Sequence, residues 1–527
     1  MVNQKLISAA IWIIGLILVP WALIDGLEGS ALPVMAIGGL TFLLFVFFIL
    51  KDGSCALPLI GMFFIGKLNF LPIGLNAMAI FTMMLIVYYF FGYFALKQGK
   101  ISVGPAFLSL PILVITAIVL YHSRQIGFHA LGSTMEGSLQ GLLMLLGAIG
   151  YICGISISPP SSSFFARLPW YCTIVGILTS LPNILTTFFP NLAPLLYHFT
   201  DAVNVDAYRE SEGINTDMDR VGGLAGIGTY LEVYLLAHYP IHTWWRPQRW
   251  WVPILLVLCL GSVVAGGYRS IVAVFGFIFI LAAWTYYSWR SLLFLPVAFL
   301  GVFGLSVCGQ SGLVDLPLSV QRSLSFLPGK WDATVIESTT DSNDFRESIK
   351  RVYMKEEFHK SPWVGNGFTF DSAEEDMLTK LSFQAETPDH YYATKAFIVA
   401  KNYHTGWISL YDMVGLIGGA AFIALGGGMF VMILRIVWSQ VDHQAPLFPL
   451  KVWLFCGIAR ELVGYFTVFG DIRATFPNVC AYAIILIQLD RMERGWNMKP
   501  VLPTFQQKED IRSSGRIVPQ SSFFSPG

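Results

Sequence analysis

Apolar runs separated by short polar connections set the pattern of the chain. They fall at 7–24, 31–50, 54–66, 76–96, 103–122, 138–157, 168–188, 221–239, 250–267, 270–288, 291–308, 413–437, 448–468 and 472–489. A helix needs roughly 20 apolar residues to cross about 30 Å of hydrocarbon. The pattern therefore predicts an all-α polytopic membrane protein of about fourteen transmembrane helices. The run at 54–66 is short and carries Pro58, which predicts a thin or half-inserted helix. The first run lacks a convincing cleavage site and is followed at once by a second, so it is expected to be a retained span.

Composition agrees with the pattern. Of the 527 residues, 55% are hydrophobic and only 13% charged, with a mean hydropathy of +0.62. Soluble domains carry about 25% charged residues. The 33 basic and 33 acidic residues cancel, leaving no basic field for nucleic acid. The placement of the charges is more informative. With a cytoplasmic N-terminus, the inside connections hold Lys5, Lys51, Lys97, Lys100, Arg167, Arg246, Arg249, Arg290 and Arg435, and the tail adds Arg491, Arg494 and Lys499. The short outside connections hold only Lys67, Arg124, Arg209, Arg220 and Arg269. By the positive-inside rule, both termini are expected in the cytoplasm. The seven cysteines sit in or beside apolar runs without C-x-x-C spacing and read as packing residues.

Four regions follow: a transmembrane bundle over 1–308, a large outer loop over 309–403, further transmembrane helices over 404–490, and a Ser/Pro-rich tail over 491–527 expected to be disordered. Within the loop, 316–327 is apolar enough to lie on the membrane surface and contains Arg322. Pro328-Gly329 breaks it. A helical pattern begins near Arg346, with Ser342 or Asp344 placed to cap it and Ile349, Val352 and Tyr353 at helical spacing. Ser361-Pro362 ends that helix, and Gly365-Asn366-Gly367 makes a tight turn. His404 stands where the loop returns to an apolar helix.

Several charges are placed to do chemistry. Arg269, in Gly266-Gly267-Tyr268-Arg269-Ser270 between two spans, is either a phosphate ligand or an interfacial anchor to lipid headgroups. Arg220, opening Arg220-Val221-Gly222-Gly223-Leu224-Ala225-Gly226, has the same two readings, and its small residues suit close helix packing. Arg460 and Glu461 fall inside a span, where a charge costs about 2.5–3.5 kcal/mol on insertion scales. They must pair, face a wet cavity, or both. His404 has the pKa range of a general base, although a histidine at such a boundary is also an ordinary interfacial residue. The sequence has no G-x-x-x-x-G-K-[ST], H-E-x-x-H or G-x-S-x-G, and no cluster with metal-ligand spacing.

The order of these features resembles the O-antigen ligase and O-antigen polymerase superfamily. The resemblance rests on Arg346, Ser361-Pro362-Trp363-Val364-Gly365-Asn366-Gly367-Phe368, His404 and Met413-Val414-Gly415-Leu416-Ile417-Gly418-Gly419. Upstream, Arg220-Val221-Gly222-Gly223-Leu224 and Gly267-Tyr268-Arg269-Ser270 resemble the family's two arginine-bearing helix ends. It covers roughly 200–440. Where the family often has His-Asn, this chain has His404-Thr405, and Tyr353 stands nearest to an aromatic position that is often tryptophan.

The resemblance implies a glycosyltransferase of the bacterial inner membrane with its large loop in the periplasm. The donor would be a lipid-linked oligosaccharide of undecaprenyl-diphosphate type, and the acceptor a glycan, lipid A-core or protein. Arg269, Arg220, Arg346 and Arg322 would hold the diphosphate, and His404 would activate the acceptor hydroxyl. No nucleotide, metal or other cofactor is implied, because the lipid diphosphate is already a leaving group. Two alternatives share many of these features: a transporter or flippase of a lipid-linked glycan, and an envelope scaffold protein.

Overall fold

The computed structural model describes residues 51–69 (except 65), 76–96, 101–126, 138–203, 221–287 (except 245), 315–368, 390–495 (except 404, 440–444 and 468–469), and scattered positions in 290–311 and 374–381. The runs at 7–24 and 31–50 and most of 291–308 lie outside the described residues, as do Arg220 and His404.

The described chain is all-α; its strand-like pairing is limited to isolated bridges between Lys67 and Asn76 and between Leu68 and Thr200. We label the α-helices in order: α1 Leu57–Gly61, α2 Ala77–Leu96, α3 Ala106–Ile126, α4 Ser138–Ser156, α5 Ser162–Phe188, α6 Ala193–Tyr197, α7 Gly222–His238, α8 Trp251–Ala265, α9 Arg269–Tyr287, α10 Leu318–Leu324, α11 Ala333–Glu356, α12 His390–Val399, α13 Gly406–Trp438, α14 Phe448–Thr467 and α15 Ile472–Glu493. Among the described residues, seven helices are long and apolar enough to cross a membrane: α3, α4, α5, α8 with its preceding turn, α9, α13 and α15. The 20-residue α2 and α14 and the 17-residue α7 pack beside them. Apolar side chains face outward on this bundle, with Leu110 at 62%, Val257 at 67% and Val431 at 66% exposure. Water does not tolerate such a surface over a wide area, but lipid does.

α15 is the bundle's centre, with 83% of its span buried. Small residues set the closest helix contacts. At Gly223 of α7 a Cβ would lie 2.6 Å from the Ser180 carbonyl of α5, and at Gly228 it would lie 2.6 Å from that of Cys259 on α8. The Gly222, Gly223 and Gly226 stretch thus packs helices as its composition predicts.

Two sets of helix ends follow. One gathers the starts of α7, α9, α13 and α15 beneath the loop. The opposite one holds the end of α15, where buried Arg491 donates to the Ile155 carbonyl and to Ser102 Oγ, and Lys451 pairs with Glu493. Arg167, Arg246, Arg249 and Arg435 are at the opposite end. Arg491, expected in the disordered tail, instead belongs to α15 and is 3% exposed.

The 54–66 run passes between the two ends without forming a full helix. Residues Lys51–Ala56 form a 3-10 turn that packs beside the start of α5, α1 adds five residues, and Lys67–Asn69 reach Thr200 and Phe199 beneath the loop. Gly53 is non-helical, Pro58 opens α1, and Gly66 has φ +87. Positions 53–61 are all buried, so protein covers the broken backbone.

The loop helix also differs from expectation. α11 starts at Ala333, thirteen positions before Arg346, and its cap is Asp332, whose carboxylate accepts from Thr334 N at 2.9 Å. Ser342 and Asp344 are therefore interior. Pro328-Gly329 ends the preceding segment, and an aspartate follows at the first position able to cap.

Candidate functional site

Three of the predicted arginines converge. Arg269, Arg322 and Arg346 line one cavity of about 330 Å3, with Tyr268, Ser270, Ser342 and Asn343 beside them. Each comes from a different segment for a local reason. α8 and α9 are joined by a reversal at Gly266-Gly267, where Gly267 has φ +81, a conformation open to glycine. A Cβ on Gly266 would lie 2.8 Å from that of Ala225, so the turn is pressed against α7. Arg269 is thereby the first residue of α9, half-buried at the cavity wall.

Arg322 is carried by α10, which lies beneath the loop. Ser323 Oγ donates to the Val264 carbonyl at 2.7 Å and fixes α10 to the last turn of α8. Gln321 Oε1 accepts from Asp332 N at 3.1 Å and ties α10 to the start of α11. Arg322 is only 5% exposed, and its Nη1 donates to Ser338 Oγ on α11. It is thus both a brace between two helices and a wall of the cavity. Arg346 lies one turn before Ile349 and two before Tyr353, both fully buried. That register fixes its half-buried guanidinium toward α9 and α10.

Three guanidinium groups line one space. Their planar forks suit phosphate oxygens, each able to give paired charge-assisted hydrogen bonds. Serine hydroxyls and the Asn343 amide add neutral donors.

A second constellation was missed by sequence reasoning. Asp412, 1% exposed in the first turns of α13, accepts from Lys401 Nζ at 2.6 Å, Tyr403 OH at 2.7 Å, Asn366 Nδ2 at 2.7 Å and Tyr353 OH at 3.3 Å. Three separate stretches of chain meet on that carboxylate. Burial, with the adjacent carboxylate second, pushes the Tyr353 and Tyr403 hydroxyls above the usual tyrosine range, so both remain donors. The available signal was an acidic residue at the head of an apolar run, which demands a partner.

The two motifs that carried the family resemblance touch backbone to backbone beside this carboxylate. α13 breaks at Gly415, with φ 66 and ψ −169. The freed amides of Leu416 and Ile417 donate to the carbonyls of Pro362 and Trp363 at 2.9 and 3.1 Å. Gly365, at φ +78, approaches so closely that a Cβ there would lie 2.6 Å from the Asp412 carbonyl. His122 of α3 closes the other side, donating from Nε2 to the Val364 carbonyl at 2.8 Å.

The segment around His404 is held from both sides, although His404 itself is outside the described residues. Lys401 has φ 58, and its carbonyl accepts from Arg473 Nη2 at 3.2 Å. Tyr403 packs edge-on against Tyr353, with centroids 5.4 Å apart. Tyr353 and Arg346 share a face of α11 two turns apart, roughly 10 Å along the axis. The return segment therefore stands about that far from the arginine cavity.

Arg460 and Glu461 belong elsewhere. Arg460 lies over the rings of Tyr230 and Phe63, 5.6 and 6.0 Å from their centroids, and Glu461 Oε1 accepts from Asn478 Nδ2 at 3.2 Å. Neither lines the arginine cavity. Asp471 caps α15, accepting from Arg473 N, and pairs with the Arg473 guanidinium at 2.8 Å. No protein-family model matches the chain, and no curated protein matches it.

Proposed function

We propose that this protein is a membrane glycosyltransferase that moves a glycan from a lipid diphosphate donor to an acceptor hydroxyl, in the manner of O-antigen ligases and polymerases. The observation that carries the reading is the convergence of Arg269, Arg322 and Arg346 on one cavity at the ends of apolar helices. A lipid diphosphate presents two phosphates at that level while its prenyl chain stays in hydrocarbon. The arrangement therefore fits it better than it fits a soluble nucleotide sugar. The loop-bearing end would face the periplasm, because the opposite end carries the basic connections.

In this reading the anomeric carbon loses its bond to the diphosphate oxygen and gains one to the acceptor oxygen. The acceptor's proton passes to His404, and the lipid diphosphate departs with the bonding pair. The guanidiniums offset charge as it develops on that oxygen. The leaving group is already activated, so the step needs neither nucleotide nor metal. The Asp412 cluster holds the loop and the return segment in register with α11, and so sets where the acceptor's base stands relative to the diphosphate.

The test is a deletion strain complemented with wild type, Arg269→Ala or Arg346→Ala, with variant levels checked in the membrane. Lipid-linked donor should accumulate and be cleared only by wild type. Full-length unattached chains would indicate a ligase, and single unattached repeats a polymerase. Normal glycan in the deletion strain, absent a paralogue, would overturn the reading and favour a transporter or scaffold.

A further inference from the structure

Glu461, a charge inside the bundle that the arginine cavity leaves unexplained, is bonded to Asn478 in the wall of a second cavity. It measures about 350 Å3, larger than the first, and opens among α2, α4, the Lys67 turn and the start of α15. Its lining has a different chemistry. Asp201 and Asp471 stand with Lys67 and Arg473, so both signs are present, and Asn76, Gln140 and Asn478 contribute amides. Gln140 is half-buried and, among the described residues, makes no hydrogen bond to protein. On the floor, Asn478 donates to Glu461, which follows Arg460 on α14. Arg460 in turn lies over Tyr230 of α7. Glu461 of α14 thus holds an amide that lines the cavity, and a polar partner of this kind is what a charge among apolar helices needs.

We propose that this second cavity binds the uncharged, hydroxyl-rich part of the acceptor glycan. Amides and carboxylates at close quarters match sugar hydroxyls, each of which both donates and accepts. Two aspartates offset Lys67 and Arg473, so the wall has no net positive charge to hold a diphosphate, which separates this site from the three-arginine cavity. Its position suits an acceptor. Arg473 lines the cavity and also donates to the Lys401 carbonyl, three residues before His404. A glycan seated there lies against the segment that carries the expected base. The inference rests on the glycosyltransferase reading for the word acceptor, but the binding itself is independent of it.

The experiment uses the purified full chain in detergent and two probes. One is inorganic pyrophosphate. The other is the pool of phosphate-free oligosaccharides released by mild acid from the source cells' envelope, scored by native mass spectrometry. Wild type should bind both. Gln140→Leu with Asn478→Leu should weaken oligosaccharide binding at least about tenfold, as expected when one or two such hydrogen bonds are lost, and leave pyrophosphate unchanged. Arg322→Gln with Arg346→Gln should do the reverse. Thr82, a buried threonine of α2, also lines the cavity. Thr82→Val with Gln140→Leu, which spares the Glu461 contact, guards against a folding defect and should give the same loss with an unchanged melting temperature. Oligosaccharide binding that survives both pairs, or that disappears with the arginines, would overturn the proposal. Pyrophosphate binding without any oligosaccharide binding by wild type would overturn it too, and leave the diphosphate reading standing. Oligosaccharide binding without pyrophosphate binding would support this cavity and remove the diphosphate reading instead.

Discussion

The arginine cavity and the Asp412 cluster are built from the same kinds of residue at the same end of the bundle, yet they solve opposite problems. The cavity is lined by three arginines, of which Arg269 and Arg346 are half-buried and Arg322 also braces α10 against α11. The cluster gathers opposite charges with the space filled, Asp412 at 1% and Lys401 at 12% side-chain exposure. In the proposed reading, guanidiniums that line open space are there to meet an anion. A matched pair with its remaining lone pairs satisfied makes a brace. Position in sequence does not separate the two, since Arg346 and Tyr353 stand on one face of one helix and serve different centres.

That contrast predicts which substitutions act on chemistry and which on folding. The largest effect is expected in the cavity: Arg346→Ala or Arg269→Ala should lower turnover by at least about 100-fold, the scale for losing a donor to a developing oxyanion. Thermal unfolding in detergent should be unchanged. Arg269→Lys should recover part of the loss, because a lysine keeps the charge but not the fork. If Arg346→Ala unfolds the protein as readily as a brace mutation does, the distinction fails.

Lys401→Met should show the opposite signature. Leaving a buried carboxylate without its cation costs roughly 3–5 kcal/mol, so the melting temperature should fall by several degrees and pyrophosphate affinity should hold in the folded fraction. A smaller loss is expected for Gly365→Ala. Its φ of +78 and the 2.6 Å approach to the Asp412 carbonyl leave no room for a Cβ. The left-handed backbone alone costs about 1–2 kcal/mol, and the clash adds to it. Faster hydrogen exchange at Leu416 and Ile417, whose amides bond across this turn, is the measurement.

The smallest effect concerns pH. The Tyr403 and Tyr353 hydroxyls have folded pKa values above the unfolded value of about 10. Their contribution is therefore complete below pH 10 and is lost as pH rises toward the folded values. Melting temperature should be flat across neutral pH and decline above pH 10, and that decline should be shallower in Tyr403→Phe.

The contrast also explains what was legible in the sequence. Among the described residues, hydropathy located the long apolar helices, seven of them able to cross a membrane, because a span has a set length and composition. Gly266-Gly267 announced a reversal. Arg269, Arg322 and Arg346 were visible because an arginine at a helix end or on an amphipathic loop is conspicuous. Asp412 was not, because it is one acidic residue against an apolar run and its four donors come from positions as far back as Tyr353. The start of α11 was misplaced because Ser342 and Asp344 are also capping residues. Only the Pro328-Gly329 break followed by Asp332 decides between them. The broken passage at 51–67 was visible as a short run with Pro58, but its buried course depends on packing against α5 and α15.

The most direct test of the central claim is transfer by the purified full chain in lipid nanodiscs. Lipid-linked oligosaccharide and acceptor extracted from the source cells would be supplied, and free lipid diphosphate and joined glycan quantified together. The account predicts that wild type releases one lipid diphosphate for each glycan joined, and that the Arg269→Ala, Arg322→Ala, Arg346→Ala triple variant releases none. Equal release by the triple variant, or no release by wild type with both substrates present, would contradict it.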